Sequence, residues 1–365
     1  MVNSPRWMPS RAFSFTTDDL AVDLGTANTV VYLRGVGIVC NEPSVVAIRK
    51  NGGGSPEVLA VGEQAKEMLG RTPEAITAIR PLKGGAIADF ATAELMLRHF
   101  IKKGNHRSRR IWSSSRVMVC VPPGLTEVER HAVRESVEAT GSHGQREVHL
   151  IKEPIAGAIG AGLEITGPQG HLIIDVGSGT TDVAVISVSG AVVSHSVPVA
   201  GDSMNDALIE YVRKKYNLLI GERTAERVKC TIGSAYAGSE LQTTTIKGRE
   251  LASGLPGMVD INNQEVLEAL KRPLNEILSC VRVVLEKTPP ELAADIFDEG
   301  LTLVGGGALL RNFAELLKQE TNLPVKLAEN ALTAAAIGAG KLLEDRPLCR
   351  EIILNSPSGA SRQLD

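Results

Sequence analysis

The chain has 365 residues, of which 43% are hydrophobic, 22% charged and 3% aromatic, and its formal net charge is −3. That length exceeds what a single core usually supports and favours two domains or one heavily inserted domain, and the composition excludes disorder over most of the chain. With few rings to stack bases and no excess of positive charge, bulk nucleic-acid binding is excluded, so any basic partner surface has to be local.

The first residues, MVNSPRWMPSRAFSFTTDD, contain no apolar stretch of signal-peptide length. Residues 1–18 read as a flexible tail in which Trp7, Met8, Phe13 and Phe15, beside Arg6 and Arg11, form a weak membrane contact. The five cysteines, Cys40, Cys120, Cys230, Cys280 and Cys349, are widely spaced and lack a Cys-x-x-Cys pair, which argues against a disulfide framework or a zinc site. They read as reduced thiols of a cytoplasmic protein. No run of 18 apolar residues occurs, so no membrane span is expected.

The first strong pattern is Leu20–Leu33, two apolar runs joined by a small polar turn, the signature of a β-hairpin. Further on, Lys102 to Arg116 forms a basic stretch with no acidic residue, and cations flanking Ile111 and Trp112 suit either an anionic membrane surface or a plain solvated loop. A strand is expected over 116–122. The next helix is announced by Thr126-Glu-Val-Glu129, a capping box. Another helix begins at Glu153, where Pro154 suits the first turn and Ala156, Gly157, Ala158, Gly160, Ala161 and Gly162 leave the surface nearly bare for close approach.

A near copy of the first hairpin follows at Leu172–Ile186, so that Asp175 to Thr181 repeats the pattern of Asp23 to Thr29. A repeat at half-chain distance suggests two similar α/β domains facing one another. Each Asp ends a strand and precedes a turn whose amides can wrap phosphate oxygens. Together, Asp23 and Asp175 could hold a hydrated Mg2+ against a polyphosphate, because Mg2+ keeps most of its waters.

Helical patterns then cover about 203–217, 221–234, 263–288 and 308–319. Glu226, Lys229 and Gly233 lie on one face of the second of these, as a binding face or as solvated helix charges. The strand Leu301–Val304 runs into Gly305, Gly306 and Gly307 and then into the last helix, an arrangement suited to an anion or the edge of a nucleotide at a helix N-terminus. Glu153 has two readings, as an acid orienting water toward a terminal phosphate or as a first-turn carboxylate favourable to the helix dipole. Walker, Rossmann, nucleophile-elbow and zinc-protease motifs are absent from the sequence.

The segments DLGTANT, GIVCNEPSVVAI, AVGEQAKEMLGRTPE, GERTAERVK, SAYAG, EKTPPELAADI and LVGGGALLRNF, in order from about residue 19 to about 343, resemble the MreB family of bacterial actins. The resemblance implies an α/β, two-domain actin-like ATPase fold: duplicated ribonuclease H-like domains that close on ATP and Mg2+. It implies a first domain over 19–158 plus 331–345, with a small insert at about 43–90, and a second over 159–330, with an insert at about 203–256. Residues 346–365 are then a flexible C-terminal tail.

Carried over by position, the family's first phosphate loop falls on Asp23, Gly25, Thr26, Ala27, Asn28 and Thr29. Its second falls on Asp175, Gly177, Ser178, Gly179, Thr180 and Thr181. Glu153 matches the water-activating acid with Thr180 beside it, while Glu226, Lys229 and Gly305 to Gly307 match the nucleoside side. The implied function is slow ATP hydrolysis coupled to filament assembly on the inner membrane face, organising cell-wall synthesis proteins and cell shape. Lys152, Ser178, Asp182 and Gly84 depart from the family pattern, and Lys152 is expected to pair with Glu153 and lower its pKa, slowing turnover. A nucleotide-binding scaffold with little turnover and a small-molecule kinase on the same fold are the alternatives.

Overall fold

The computed structural model describes residues 19–49, 57–105, 116–140, 147–238 and 240–354. Two five-stranded sheets of the same topology organise it. In the first, the order is Glu147–Lys152, Arg116–Val121, Leu20–Leu24, Asn28–Leu33, Gly37–Pro43. In the second it is Val325–Leu327, Leu301–Val304, His171–Val176, Thr181–Ser187, Gly190–Val197. Each sheet has three antiparallel strands in sequence followed by two parallel ones, so the repeated hairpin marks a repeated domain.

The period of two along a strand decides which way the acids point. Leu20, Val22 and Leu24 face a core that also holds Met96, Leu97 and Phe100 of the helix Phe90–Asn105, whereas Ala21 faces the layer between the sheets. Leu172, Ile174 and Val176 face the outer core of the second domain, and Ile173 faces the same middle layer. Asp23 and Asp175 continue the parity of Ala21 and Ile173, so both carboxylates project into the space the domains share.

That middle layer is built by the helices Glu153–Gly160 and Ala334–Glu344. Their backbones touch: a Cβ added to Gly160 would sit 1.8 Å from the Ala334 carbonyl oxygen, and one added to Gly338 would sit 1.8 Å from that of Ala156. The small residues that lower helix propensity here permit a crossing that larger side chains would block. The helix Ala334–Glu344 also returns the chain to the first sheet, where Gly340 packs against the Tyr32 ring.

Two inserts stand over the cleft. One is a three-stranded sheet of Glu57–Val61, Val46–Arg49 and Ile76–Ile79 with the helix Glu63–Met68. The other carries Leu218–Leu219, Thr243–Glu250 and Pro256–Asn262 with the helices Gly201–Tyr216 and Glu222–Ile232.

Two expectations need correction. Residues 346–354 are not tail: Arg346–Leu354 is a helix whose Cys349 and Ile352 join the middle core, because Leu348, Cys349, Ile352 and Ile353 fall on one face. Only 355–365 of that expected tail lies outside the described residues. The helix expected over 308–319 instead starts at Phe313, after a single 3-10 turn over Gly307–Leu309. Asn312, left-handed at φ 59°, precedes its first turn, so the chain must reverse before it can enter the helix.

All five cysteines are free, with Cys230 exposed and the others buried. Among the described residues no helix is long and apolar enough to cross a membrane. Trp112 and most of the basic stretch, like the N-terminal aromatic residues, lie outside the described residues. Lys102 and Lys103, at the end of the helix Phe90–Asn105, are described, and Lys103 pairs with Glu42.

Candidate functional site

The cleft floor is formed where the two hairpin turns meet. In the first turn a Cβ on Gly25 would collide with the Asn28 carbonyl oxygen at 2.6 Å, so only glycine closes it. Ser44 fastens the turn from outside. Its hydroxyl donates to the Gly25 carbonyl at 2.7 Å and shares a 2.9 Å hydrogen bond with Thr29, while its amide donates to the Ala27 carbonyl at 2.8 Å. Asn28 is exposed and donates to Asn41.

The second turn is closed by the Gly177 amide donating to the Thr180 carbonyl at 2.9 Å, and Thr181 donates to the Val199 carbonyl at 2.7 Å. The Asp202 amide donates to the Ser178 carbonyl. The two turns abut across the domains: a Cβ on Gly179 would lie 2.5 Å from the Thr26 hydroxyl oxygen.

Four carboxyl groups converge on this floor. Asp175 and Asp182, register partners on adjacent strands, are buried with 8% and 1% exposure. Burial pushes Asp23 and Asp182 up to about 6; for Asp182 the Ser196 and Thr180 hydroxyls oppose the rise. Burial also raises Asp175 well above the usual carboxylate range, helped by Asp182 and Asp23. Glu153, in the first turn of its helix, rises well above its usual value through burial and then the charges of Asp182, Asp23 and Asp175. The buried Cys120 thiol is pushed up by burial and then by Asp23, Glu153 and Asp175.

The expected Lys152–Glu153 pair does not form. Lys152 is lowered by burial and by Arg130, and the charges acting on Glu153 are all carboxylates. Adjacent residues at the junction of strand and helix point in different directions, so neighbourhood in sequence did not become contact.

Such a cluster is unfavourable unless protons or a cation neutralise it. Asp182 Oδ1 is buried with no hydrogen-bond partner, an orphan acceptor in a pocket of like charges. Among the described residues no three acid, His or Cys side chains converge closely enough to ligate a metal directly. Hydrated Mg2+, held through water by Asp23 and Asp175 and completed by phosphate oxygens, fits that donor set.

On the second domain, Gly305 (φ 86°) packs against the Asp175 turn: a Cβ there would lie 2.3 Å from the Val176 carbonyl oxygen and 2.4 Å from Asp175 Oδ1. Gly307 packs on Val176 and Gly177, and Gly306 faces Leu332. The Gly305 amide donates to the Ala331 carbonyl, and a 3-10 turn follows. The α-helix therefore does not start at the triple glycine, and the three glycines form a bare wall beside the Asp175 turn.

Glu226 and Lys229 stand on the helix Glu222–Ile232. The Lys229 ammonium donates to the Gly201 carbonyl at 2.7 Å behind the second turn, with its pKa lowered by burial. Gly233 ends that helix against Leu310, beside the triple glycine. Glu226 forms an ion pair with Lys66 of the opposite insert at 3.4 Å.

Sequence reasoning missed Arg80, which spans the cleft mouth to Glu222 at 2.7 Å and to Asp202 at 3.4 Å. It also missed Ser44, although a serine after Asn-Glu-Pro between two strands is a turn signal, and the Gly84–Gly85 turn that enters the cleft.

Comparison with known proteins agrees with this arrangement. The MreB/Mbl protein family model matches residues 17–351. Cell shape-determining protein MreB of Escherichia coli is 55% identical over 329 residues, covering 90% of this chain and 94% of that protein. Cell shape-determining protein Mbl of Bacillus subtilis is 46% identical over 327 residues, covering 90% and 96%. The crystal structure of MreB 5 of Spiroplasma citri bound to AMPPNP superposes with a TM-score of 0.84 at 37% identity, covering 92% of this chain and 98% of that one. Two sheets of one topology, closed over paired Asp-Gly turns, are thus the frame of an MreB-like bacterial actin, and the chain belongs to the MreB/Mbl family.

Proposed function

We propose that the chain binds Mg-ATP between the Asp23 and Asp175 turns, hydrolyses it slowly, and assembles head to tail into filaments on the inner membrane face, where they organise cell-wall synthesis. The observation that carries this reading is the meeting of two glycine turns over four carboxyl groups, Asp175 and Asp182 buried and Asp23 and Glu153 half-buried, none of which forms an ion pair with a cation among the described residues. The AMPPNP held by the Spiroplasma relative supports a nucleotide there.

In this reading Gly25, Thr26, Ala27, Asn28 and Thr29 cradle the phosphates from one side and Gly177, Ser178, Gly179, Thr180 and Thr181 from the other. Glu226, Lys229 and the Gly305–Gly307 wall border the nucleoside. When bound, Mg2+ neutralises phosphate charge; Asp23 and Asp175 orient its water shell. Glu153, with Thr180 beside it, positions the attacking water. Because its carboxyl is taken out of water and lies among like charges, its proton affinity is raised, which suits an acceptor for a water proton once a cation screens the site. A ligand that touches both domains favours the closed form, and an open filament needs a heterologous interface. The basic stretch from Lys102 to Arg116 with Trp112 supplies the membrane contact.

The test is electron microscopy and sedimentation of the purified chain with anionic vesicles, with Mg-ATP, with Mg-GTP and without nucleotide. Filaments on vesicles that depend on Mg-ATP are expected. Assembly that ignores nucleotide contradicts the coupling, and nucleotide binding without phosphate release favours the scaffold, which the departures at Lys152, Ser178 and Asp182 motivate.

A further inference from the structure

The short strands Leu82–Lys83 and Ala86–Ile87 are joined by Gly84 and Gly85, both left-handed, with φ of 56° and 80°. Positive φ at both central residues gives a tight hairpin that glycine adopts without strain. This turn enters the cleft between the two phosphate loops. The Gly85 amide donates to the Thr26 hydroxyl at 3.3 Å on the first-domain side. On the other side, a Cβ on Gly85 would lie 2.6 Å from Thr180 Cγ2, and also 3.0 Å from Pro122 Cγ at the end of the strand Arg116–Val121. A Cβ on Gly179 would lie 3.1 Å from the Gly85 nitrogen. Gly84 is roomier, with only Pro198 Cβ at 3.8 Å, an ordinary contact.

We propose that the Gly84–Gly85 turn is a spacer that sets how far the two phosphate loops can close, with Gly85 as the positioning residue for Thr180. Closure stops where the Thr180 methyl meets the bare Cα of Gly85, the thinnest stop a polypeptide offers. The hydrogen bond to Thr26 keeps that stop attached to the first domain. A side chain at 85 would hold Thr180 away by on the order of an ångström, a displacement sufficient to cost catalysis while each loop still binds its own phosphates. The proposal rests on the nucleotide reading of the cleft for its catalytic consequence but not for the contact itself.

Two measurements on the full chain test it. In nucleotide-free thermal unfolding, Gly85→Ala, Thr180→Ser and the double variant form a cycle, since Thr180→Ser removes only the colliding Cγ2 and keeps the hydroxyl. Gly84→Ala places a side chain on left-handed backbone without the collision and serves as the reference. Gly85→Ala is expected to lower the midpoint more than Gly84→Ala, and Thr180→Ser in that background to restore part of the loss. In single-turnover hydrolysis at saturating Mg-ATP, Gly85→Ala is expected to slow the reaction at least about tenfold, and by more than it weakens ATP binding. A Gly85→Ala midpoint no lower than that of Gly84→Ala, or a loss that Thr180→Ser leaves untouched, would overturn the spacer. Hydrolysis and affinity falling by equal factors would make Gly85 a binding contact and overturn the positioning role. If the unaltered chain binds no ATP, the nucleotide reading fails, and the melting cycle still decides the contact.

Discussion

The floor and the mouth of the cleft both bring charges from the two domains together, and they solve the problem in opposite ways. At the mouth, Arg80 answers Asp202 and Glu222, and Lys66 answers Glu226, with side-chain exposures from 18% to 43%. At the floor, burial raises the carboxyl groups of Asp23, Glu153, Asp175 and Asp182, and for Glu153 and Asp175 the neighbouring carboxylates add to the rise. The mouth balances itself, and water screens what remains, so each pair is worth little. At the floor, no cation among the described residues forms an ion pair with any of the four acids. A protein retains such a repulsive cluster where a ligand relieves it, which is why the floor, and not the more heavily charged mouth, marks the site.

The largest effect that could break this contrast is at Asp175. Asp175→Ala is expected to abolish Mg-ATP binding and nucleotide-dependent sedimentation, as read by titration with a fluorescent ATP analogue; near-normal affinity would mean that the floor does not hold the cation. Glu153→Gln is expected to keep ATP affinity within a fewfold and to slow single-turnover phosphate release by about 10²-fold or more. Unchanged release would remove Glu153 from the chemistry.

A third test sharpens the electrostatics of the floor in the nucleotide-free protein. Asp182 has a folded pKa raised from 3.8 to about 6, so the folded state holds its proton where the unfolded state has lost it. Its contribution to stability is therefore present in full below about pH 4 and lost as pH rises through about 6. Asp182→Asn is expected to raise the nucleotide-free melting midpoint at pH 7, by on the order of 1–3 kcal/mol of stability, and to flatten the decline between pH 4 and 6. An unchanged profile would show that Asp182 is not strained by burial. The smallest effect is expected at the mouth: Arg80→Ala should cost about 1 kcal/mol or less, a severalfold loss of ATP affinity that fades in high salt. A loss as large as that of Asp175→Ala would erase the distinction between the two regions.

Much of the site was legible in the sequence because its chemistry is local. An Asp at the end of a strand followed by Gly and hydroxyl residues makes a phosphate-type turn wherever it occurs, and its recurrence at half-chain distance disclosed a second domain. The crowded helix was legible for the same reason, since Gly160 can serve close packing only by lacking a side chain. The failures were of another kind. Lys152 was assigned to Glu153 because they are neighbours, yet the strand-to-helix junction sends them apart and Lys152 feels Arg130 instead. The triple glycine looked like the lead-in to a helix, but Asn312 reverses the chain first. The residues 346–354, read as tail, carry an apolar stripe that only the middle core could reveal as useful.

Sequence alone determined the duplicated architecture and the two glycine turns that carry Asp23 and Asp175, because strand patterns and turn geometry depend on residues a few positions apart. Only the tertiary structure decided which charges meet. Arg80 finds Glu222 across 142 residues (222 − 80), and Asp182, on a strand of the second sheet, joins Glu153, which follows a strand of the first. Coulomb energy and desolvation depend on distance and burial in space, and neither is written in the order of the chain.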